Sequence, residues 1–587
     1  VIGRVTQRET TPYEALRVRL ASHLVGVYPD RDSDDLADRL LAAFRVPLDC
    51  VEPGAHVNNW TQSDIVAITY GDSVVAPDQR PLVTLRRFFE RELSDVVSAV
   101  HILPFFPYSS DDGFSVIDYK AVDSRLGDWG DVTDFGRRFK LMADLVANHA
   151  SAESRWFQNY VARKRPGKLL FFEASPDDDL SLVVRPRTSP LLRKVETADG
   201  PRHVWCTFSH DQIDLDYSNP DLLIEMVKVL RLYLERGIKI FRLDAVAFLW
   251  KQPGTTSLHL PQTHEIIKIF RLLLEHRAPD SIVITETNVP NRENLMYFGN
   301  GNEAHAIYNF SLAPLLLYTM LTGDCRHLKT WQMSMPPAQF GTAYFNFIAS
   351  HDGIGLRPAE GLLEPEELQR MISAVESFGG RITYRRADGG EERPYEINVS
   401  LFDAMSGGID GVPDGHRFER FICAHTIMLA LEGIPGFYIH SLLATPNELR
   451  KLEQTGRNRS INRANLDADT LKTRLQDPDD ERTRVFRELK RRIHIRKLQD
   501  AFHPNATQYT LHLGRHIFAF WRQSMDRSQS IFAIHNVSGE MQEVSLAEVN
   551  LIVTDDWVDL ISGQPISDRG GCLVFQPYQS MWLSNRF

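Results

Sequence analysis

Three short runs each close an apolar, β-branched stretch with a carboxylate: Phe241-Arg242-Leu243-Asp244, Ile284-Thr285-Glu286 and Ser350-His351-Asp352. Cleaving a glycosidic bond with retention needs one carboxylate as nucleophile and one protonated carboxylic acid to assist the leaving group, about 5 Å apart. Asp244 and Glu286 are the candidates. Arg242 precedes Asp244 by two residues, so on an extended strand both side chains point the same way and the guanidinium can hold the carboxylate ionised. Glu286 has only Thr285, Thr287 and Asn288 beside it, neutral neighbours that tolerate a protonated form. Asp352, next to His351, can grip sugar hydroxyls and stabilise an oxocarbenium-like transition state. A lone Arg-x-Asp is more often a buried ion pair than a catalytic unit, and a contiguous Ser-His-Asp is no hydrolytic triad, whose members meet only through folding. Three carboxylates at three strand ends are a stronger signal, because the C-terminal ends of parallel barrel strands converge on one face.

The elements that must position them follow from hydrophobic period. Eight apolar runs, Ile65 to Tyr70, Ala99 to Phe106, Leu141 to Asn148, Ile238 to Val246, Ile282 to Glu286, Ile307 to Leu312, Tyr344 to Ala349 and Ile434 to Ile439, alternate with amphipathic helices. This pattern predicts an α/β fold, a (β/α)8 TIM barrel over residues 56–504. One helix is well signposted, with Asn219-Pro220 as N-cap and first-turn proline and Gly237 as its stop. Residues 1–55 carry helical period and predict a helical N-terminal extension. Two connections are too long for simple loops, about 150–215 and 356–415; the second holds Gly379-Gly380, Gly389-Gly390 and Gly407-Gly408. The first is expected to form a small subdomain over the barrel mouth, the second the acceptor-selecting loops. Residues 505–587 change to short alternating strands and predict a C-terminal all-β domain.

Composition excludes several classes. A net charge of −11 with no basic run argues against a nucleic-acid binder. No 18-residue apolar run argues against a membrane span. Five scattered cysteines, Cys50, Cys206, Cys325, Cys423 and Cys572, show no disulfide or zinc spacing and fit a cytoplasmic protein.

The segments Asp144-Leu145-Val146-Ala147-Asn148-His149, Phe241 to Asp244, Ile284 to Glu286 and Ser350 to Asp352 resemble the four conserved regions of glycoside hydrolase family 13, the α-amylase superfamily. Leu103 to Pro107, Ser110 to Tyr119, His351 to Gly355 and Arg459-Ser460-Ile461-Asn462-Arg463 resemble more narrowly its sucrose phosphorylase-like subfamily. Trp250 to Thr255, Ile284 to Pro290 and Pro394 to Asn398 are most similar to its glucosylglycerate phosphorylase branch. The resemblance implies Asp244 as nucleophile, Glu286 as acid/base and Asp352 as stabiliser. It also implies Asp111, His149, Arg242, His351 and Arg459 as glucosyl-binding, Phe114 as an aromatic wall near the acceptor, and Tyr395 and Glu396 as acceptor contacts. No cofactor or metal is implied. The partners would be small molecules (an α-glucoside, inorganic phosphate and glucose 1-phosphate), with no nucleic acid and no membrane, in a monomer or homodimer. The triad fixes the glucosyl-enzyme step but not what resolves it. An anion site would decide for phosphate, and Arg187, with Arg357 and Arg393, is a candidate for phosphate or an anionic acceptor. The implied activity is a retaining phosphorylase converting 2-O-α-glucosylglycerate to α-glucose 1-phosphate and glycerate. Sucrose 6-phosphate, sucrose and glucosylglycerol phosphorylases stand as alternatives, with a transglucosidase or hydrolase behind them and a non-catalytic barrel last.

Overall fold

The computed structural model describes residues 10–55, 57–386, 392–549, 551, 556–566 and 571–586; the Gly389-Gly390 pair lies outside them. Eight parallel strands close a barrel. They are β1 (Val66–Thr69), β2 (Ala99–Ile102), β3 (Lys140–Val146), β4 (Ile238–Asp244), β5 (Ile282–Thr285), β6 (Ala306–Tyr308), β7 (Ala343–Asn346) and β8 (Ile434–Tyr438), with β8 pairing back onto β1. All eight are buried at nearly every position, which is why they read as continuous apolar runs: both faces of a parallel barrel strand are covered.

Several apolar runs outlast their strands. The run from Ala99 continues through the buried Leu103, Phe105 and Phe106, although β2 ends at Ile102, because apolarity records burial and not membership of a hydrogen-bonded ladder. The same effect corrects the expectation for the third carboxylate. Asp244 ends β4 and Glu286 directly follows β5, but Asp352 lies in the loop beyond Asn346, the last residue of β7.

The N-terminal residues form two helices, α1 (Pro12–Val27), opened by a Thr11/Glu14 capping box, and α2 (Ser33–Phe44), capped by Asp32. They pack on two barrel helices, α3 (Pro220–Glu235) and α4 (Pro261–Arg277), and their inner residues Leu16, Leu20, Leu24, Leu40 and Phe44 join the main core. Asn219 caps α3 through Asp221 N–H, and Gly237 takes φ 92° after it, as the signposts require. The first insertion returns to the barrel through a short pair, His149–Ser151 against Gln212–Asp214, and carries a hairpin of Leu192–Thr197 and Gly200–Trp205. The second folds as an antiparallel sheet of Ile354–Gly355, Glu392–Asn398 and Arg381–Arg386 beside the helix Pro365–Ser377. The C-terminal residues form a β-sheet in which the inner strand Ile517–Gln523, next to one edge, alternates: Phe518 and Phe520 enter the main core, while Ile517 and Ala519 enter a second, separate one. Among the described residues no helix is long and apolar enough to cross a membrane.

Candidate active site

Register between strands builds the centre of the site. β3 and β4 pair so that Asp144 lies beside Arg242 and Val146 beside Asp244; β4 and β5 pair Leu243 with Thr285, which brings Glu286 level with the end of β4. Arg242, only 2% exposed, donates from Nη1 to Asp144 and, at 2.8 Å, to Asp244, while its Nη2 lies 3.9 Å from Glu286. His101 closes the other side of Asp144 at 2.8 Å. Burial alone would raise the Asp144 carboxyl, but His101 and Arg242 hold it down to about 2.

Arg242 therefore serves three carboxylates, and this revises the picture read from sequence. For Asp244, burial is the largest influence and pushes the carboxyl up; Arg242 opposes it, and the negative charges of Glu286, Asp144 and Asp352 add to it. Glu286 is also raised, by burial first and by Asp352, against Arg242. Neutral sequence neighbours are not the cause: Arg242 is close, and Thr287 spends its hydroxyl on Asn294. Glu286 Oε2 accepts the Ala245 N–H at 3.0 Å. Ala245 adopts φ 49°, a left-handed conformation costly for a residue with a Cβ, and this turn directs its amide at Glu286.

Asp352 has a different environment. Burial would raise it, but Arg459, Arg463, Arg242 and Arg187 together hold it below the usual carboxylate range. Arg459 Nη1 approaches it to 2.5 Å and Arg463 Nη2 to 3.5 Å. Gly353 follows because a Cβ there would meet the Ile397 carbonyl at 2.3 Å. His351 stacks on Phe114 with ring centroids 5.2 Å apart and has Tyr70 edge-on at 5.9 Å. Burial, with Arg242 and Arg463 nearby, keeps its imidazole neutral, and both of its buried ring nitrogens lack a hydrogen-bond partner. Unsatisfied buried nitrogens are costly, and a ligand hydroxyl would satisfy them.

One cavity of about 70 Å³ is bounded by Asp244, Glu286 and Asp352, and Asp111, Phe114, His149, His351, Arg459, Arg187 and Tyr395 complete much of its wall. Arg242 lies beneath this wall. Phe114 stands close to the carboxylates, its ring 5.7 Å from the Arg242 guanidinium. His149 Nε2 lies 2.9 Å from the Phe114 carbonyl, which fixes that nitrogen as the donor. Arg187 packs over Phe208 and Tyr395, at 5.8 and 5.7 Å.

Glu396 stands elsewhere than expected. It is 1% exposed and absent from the cavity wall, bound by the forked Arg459 guanidinium at 3.0 and 2.6 Å and by Asn398 at 2.6 Å. Period two on its strand turns Tyr395 toward the cavity and Glu396 away from it. Arg459 thus couples Asp352 to Glu396. Arg393 is exposed and outside the wall, whereas Arg357 is part of it.

Sequence reasoning missed four participants. Gln212, at the return of the first insertion, donates to Asp111 at 3.0 Å. Arg463 joins Asp112 in an ion pair and donates to the His351 carbonyl at 2.8 Å; its place four residues after Arg459 was a usable signal. Asn288 lines the cavity with an unpartnered Oδ1. Lys251 is buried in a cage of oxygens, 2.7 Å from Asn148 Oδ1, 3.1 Å from Asp214 and 3.3 Å from the Leu215 carbonyl, and so ties the insertion to the barrel. Among the described residues no group of three or more His, Cys, Asp or Glu side chains could hold a metal ion.

A closed parallel barrel with an arginine wedged among carboxylates at its C-terminal rim is the framework of the α-amylase class, and the family model described as "Alpha amylase, catalytic domain" matches residues 94–353. The glucosylglycerate phosphorylase of Spirochaeta thermophila is 41% identical over 91% of this chain and 90% of its own length, and that of Escherichia coli 41% identical over 89% and 92%. The crystal structure of sucrose 6F-phosphate phosphorylase from Thermoanaerobacter thermosaccharolyticum shares the fold, with a TM-score of 0.70 at 22% identity over 88% of this chain and 98% of that one. The chain belongs to the α-amylase superfamily and, within it, to the glycoside phosphorylases.

Proposed function

We propose that this phosphorylase converts 2-O-α-glucosylglycerate and phosphate to α-glucose 1-phosphate and glycerate, with retention at the anomeric carbon. The observation that carries the chemistry is the unequal sharing of Arg242, 2.8 Å from Asp244 and 3.9 Å from Glu286. Burial pushes both carboxyls up, Asp244 the further of the two, so the pair shares a proton; the Arg242 guanidinium, in hydrogen-bond contact with Asp244 alone of the two, assigns the anion to Asp244 and the proton to Glu286. Asp244 is then the nucleophile and Glu286 the acid.

In the first step an Asp244 oxygen bonds to C1 as the C1–O bond to glycerate breaks, and the Glu286 proton passes to the departing glycerate oxygen. In the second, a phosphate oxygen bonds to C1, the Asp244 ester breaks, and the phosphate proton returns to Glu286. Asp352, kept anionic by its arginines, stabilises the positive charge that develops on the ring in the transition state of each step. The unpaired nitrogens of His351, with Asp111, His149 and Arg459, would take the sugar hydroxyls. Phe114 and the deeper Arg242 form the floor, and Arg187 and Tyr395 face the incoming group. Glu396 acts through Arg459, as a positioning residue. The acceptor identity is supported by the two phosphorylase relatives of that name. Work as a monomer or homodimer in the cytoplasm completes the proposal, the compartment supported by five unpaired cysteines.

The test is release of glucose 1-phosphate with and without phosphate, followed by the reverse reaction on glycerate, glycerol, fructose and fructose 6-phosphate. Strict phosphate dependence and preference for glycerate are expected. Equal turnover without phosphate, or reverse reaction with fructose 6-phosphate alone, would refute the reading.

A further inference from the structure

The cavity wall holds arginines in two different states. Arg459 is committed to protein carboxylates, as are Arg242 beneath the wall and Arg463 behind it. Arg187 and Arg357 line the same cavity with no carboxylate partner among the described residues, and the buried Nε–H of Arg357 meets no acceptor at all. A guanidinium left in that condition is an open site for a planar anion, which can bind it through two parallel N–H bonds.

The two guanidinia share Tyr395 but differ in their other neighbours. Arg187 is among the cations that hold Asp352 down, so its field reaches the reacting centre. Arg357 shares Tyr395 with Arg187 and also acts on His259. It opens a short 3-10 turn, Arg357–Ala359, and that turn is anchored by the Leu356 N–H bonding the Tyr395 carbonyl at 2.9 Å. Gly355, just ahead, lets this backbone press against Asn288: a Cβ there would come 2.7 Å from Asn288 Oδ1. Asn288 contributes that unpartnered Oδ1 to the same side of the cavity, while its Nδ2 approaches Tyr395 Oη at 3.4 Å.

The chemistry of the two anions matches these two positions. Phosphate attacks C1 through one of its own charged oxygens, so its cation must stand by the catalytic carboxylates. In a 2-hydroxy acid the carboxylate is borne on the carbon that carries the reacting oxygen, so its cation must stand one step further out. We propose that Arg357 is the specificity-determining residue that reads the carboxylate of the acceptor, side-on through Nε–H and Nη–H, with Asn288 Oδ1 accepting an acceptor hydroxyl. This rests on the phosphorolysis reading above.

The experiment compares Arg357→Gln and Arg357→Lys with the wild-type chain in both directions. In synthesis from α-glucose 1-phosphate, the preference for glycerate over glycerol, as a ratio of kcat/KM values, is expected to fall about 10- to 100-fold in Arg357→Gln, the worth of one charge-assisted pair. Arg357→Lys should recover part of it, because it restores the charge without the fork. In phosphorolysis the KM for phosphate should move less than about threefold, a split that a merely structural loss would not produce. An unchanged glycerate-to-glycerol ratio, or a phosphate KM rising as steeply as that for glycerate, overturns the assignment to Arg357 and leaves phosphorolysis standing. A wild-type chain that takes fructose 6-phosphate and rejects glycerate overturns the choice of glycerate and the assignment to Arg357 together.

Discussion

Arg242 Nη1 stands 2.8 Å from Asp244 Oδ1 and bonds Asp144 from the same nitrogen, so one buried guanidinium organises two carboxylates on neighbouring strands. A lysine Nζ falls one bond short of the Arg242 Nη1 position and has no second nitrogen to face Glu286. Arg242→Lys is expected to lose roughly two charge-assisted hydrogen bonds, lowering kcat/KM by about 10²- to 10⁴-fold. Steady-state phosphorolysis checks it, and a value within tenfold of wild type would remove Arg242 from the centre of the mechanism.

Glu286 is raised by burial and by Asp352, and its proposed task is to protonate a poor leaving group. Glu286→Gln should cut phosphorolysis of a glucoside by about 10²- to 10⁴-fold. A donor whose leaving group needs no proton, such as α-glucosyl fluoride, should still glucosylate Asp244. Mass spectrometry of the quenched enzyme should then show the covalent adduct, and its absence, with glucosyl fluoride unreacted, would count against the assignment.

The Lys251 ammonium and Asp214 are both essentially unexposed and 3.1 Å apart. Lys251→Met leaves Asp214 buried without its cation, a change expected to cost about 3–5 kcal/mol of stability. Denaturant unfolding monitored in the wild type and the variant measures it; a loss under about 1 kcal/mol would mean that water reaches Asp214.

Glu432, at the entry to β8, accepts the Ala338 N–H at 2.7 Å and is pushed up by burial to about 7. Its folded pKa exceeds the unfolded value, so its contribution to stability is complete below about pH 4.5 and is lost as pH rises toward 7, up to about 3 kcal/mol. Glu432→Gln keeps an acceptor and cannot ionise. Its melting temperature relative to wild type should rise between pH 5 and pH 8; an unchanged difference would show that Glu432 is well solvated.

The sequence by itself determined the barrel and the three carboxylates. Eight apolar runs alternating with helices admit few architectures, and strand-end placement of Asp244 and Glu286 follows from the chain's own order. The alternation of Ile517 to Trp521 marked a C-terminal β-region, and Asn219-Pro220 marked a helix start, because caps and side-chain period are local properties.

Tertiary structure decided what those carboxylates feel. That Arg242 is divided among Asp144, Asp244 and Glu286 depends on the register of three strands. Glu396 turns away from the cavity onto Arg459, and Gln212 reaches Asp111 across about a hundred residues of chain. Electrostatic fields and hydrogen bonds act through space and fall off within ångströms, so the partners of a charge are fixed only when the chain has folded. Local propensity, which acts between neighbours in sequence, was legible without it.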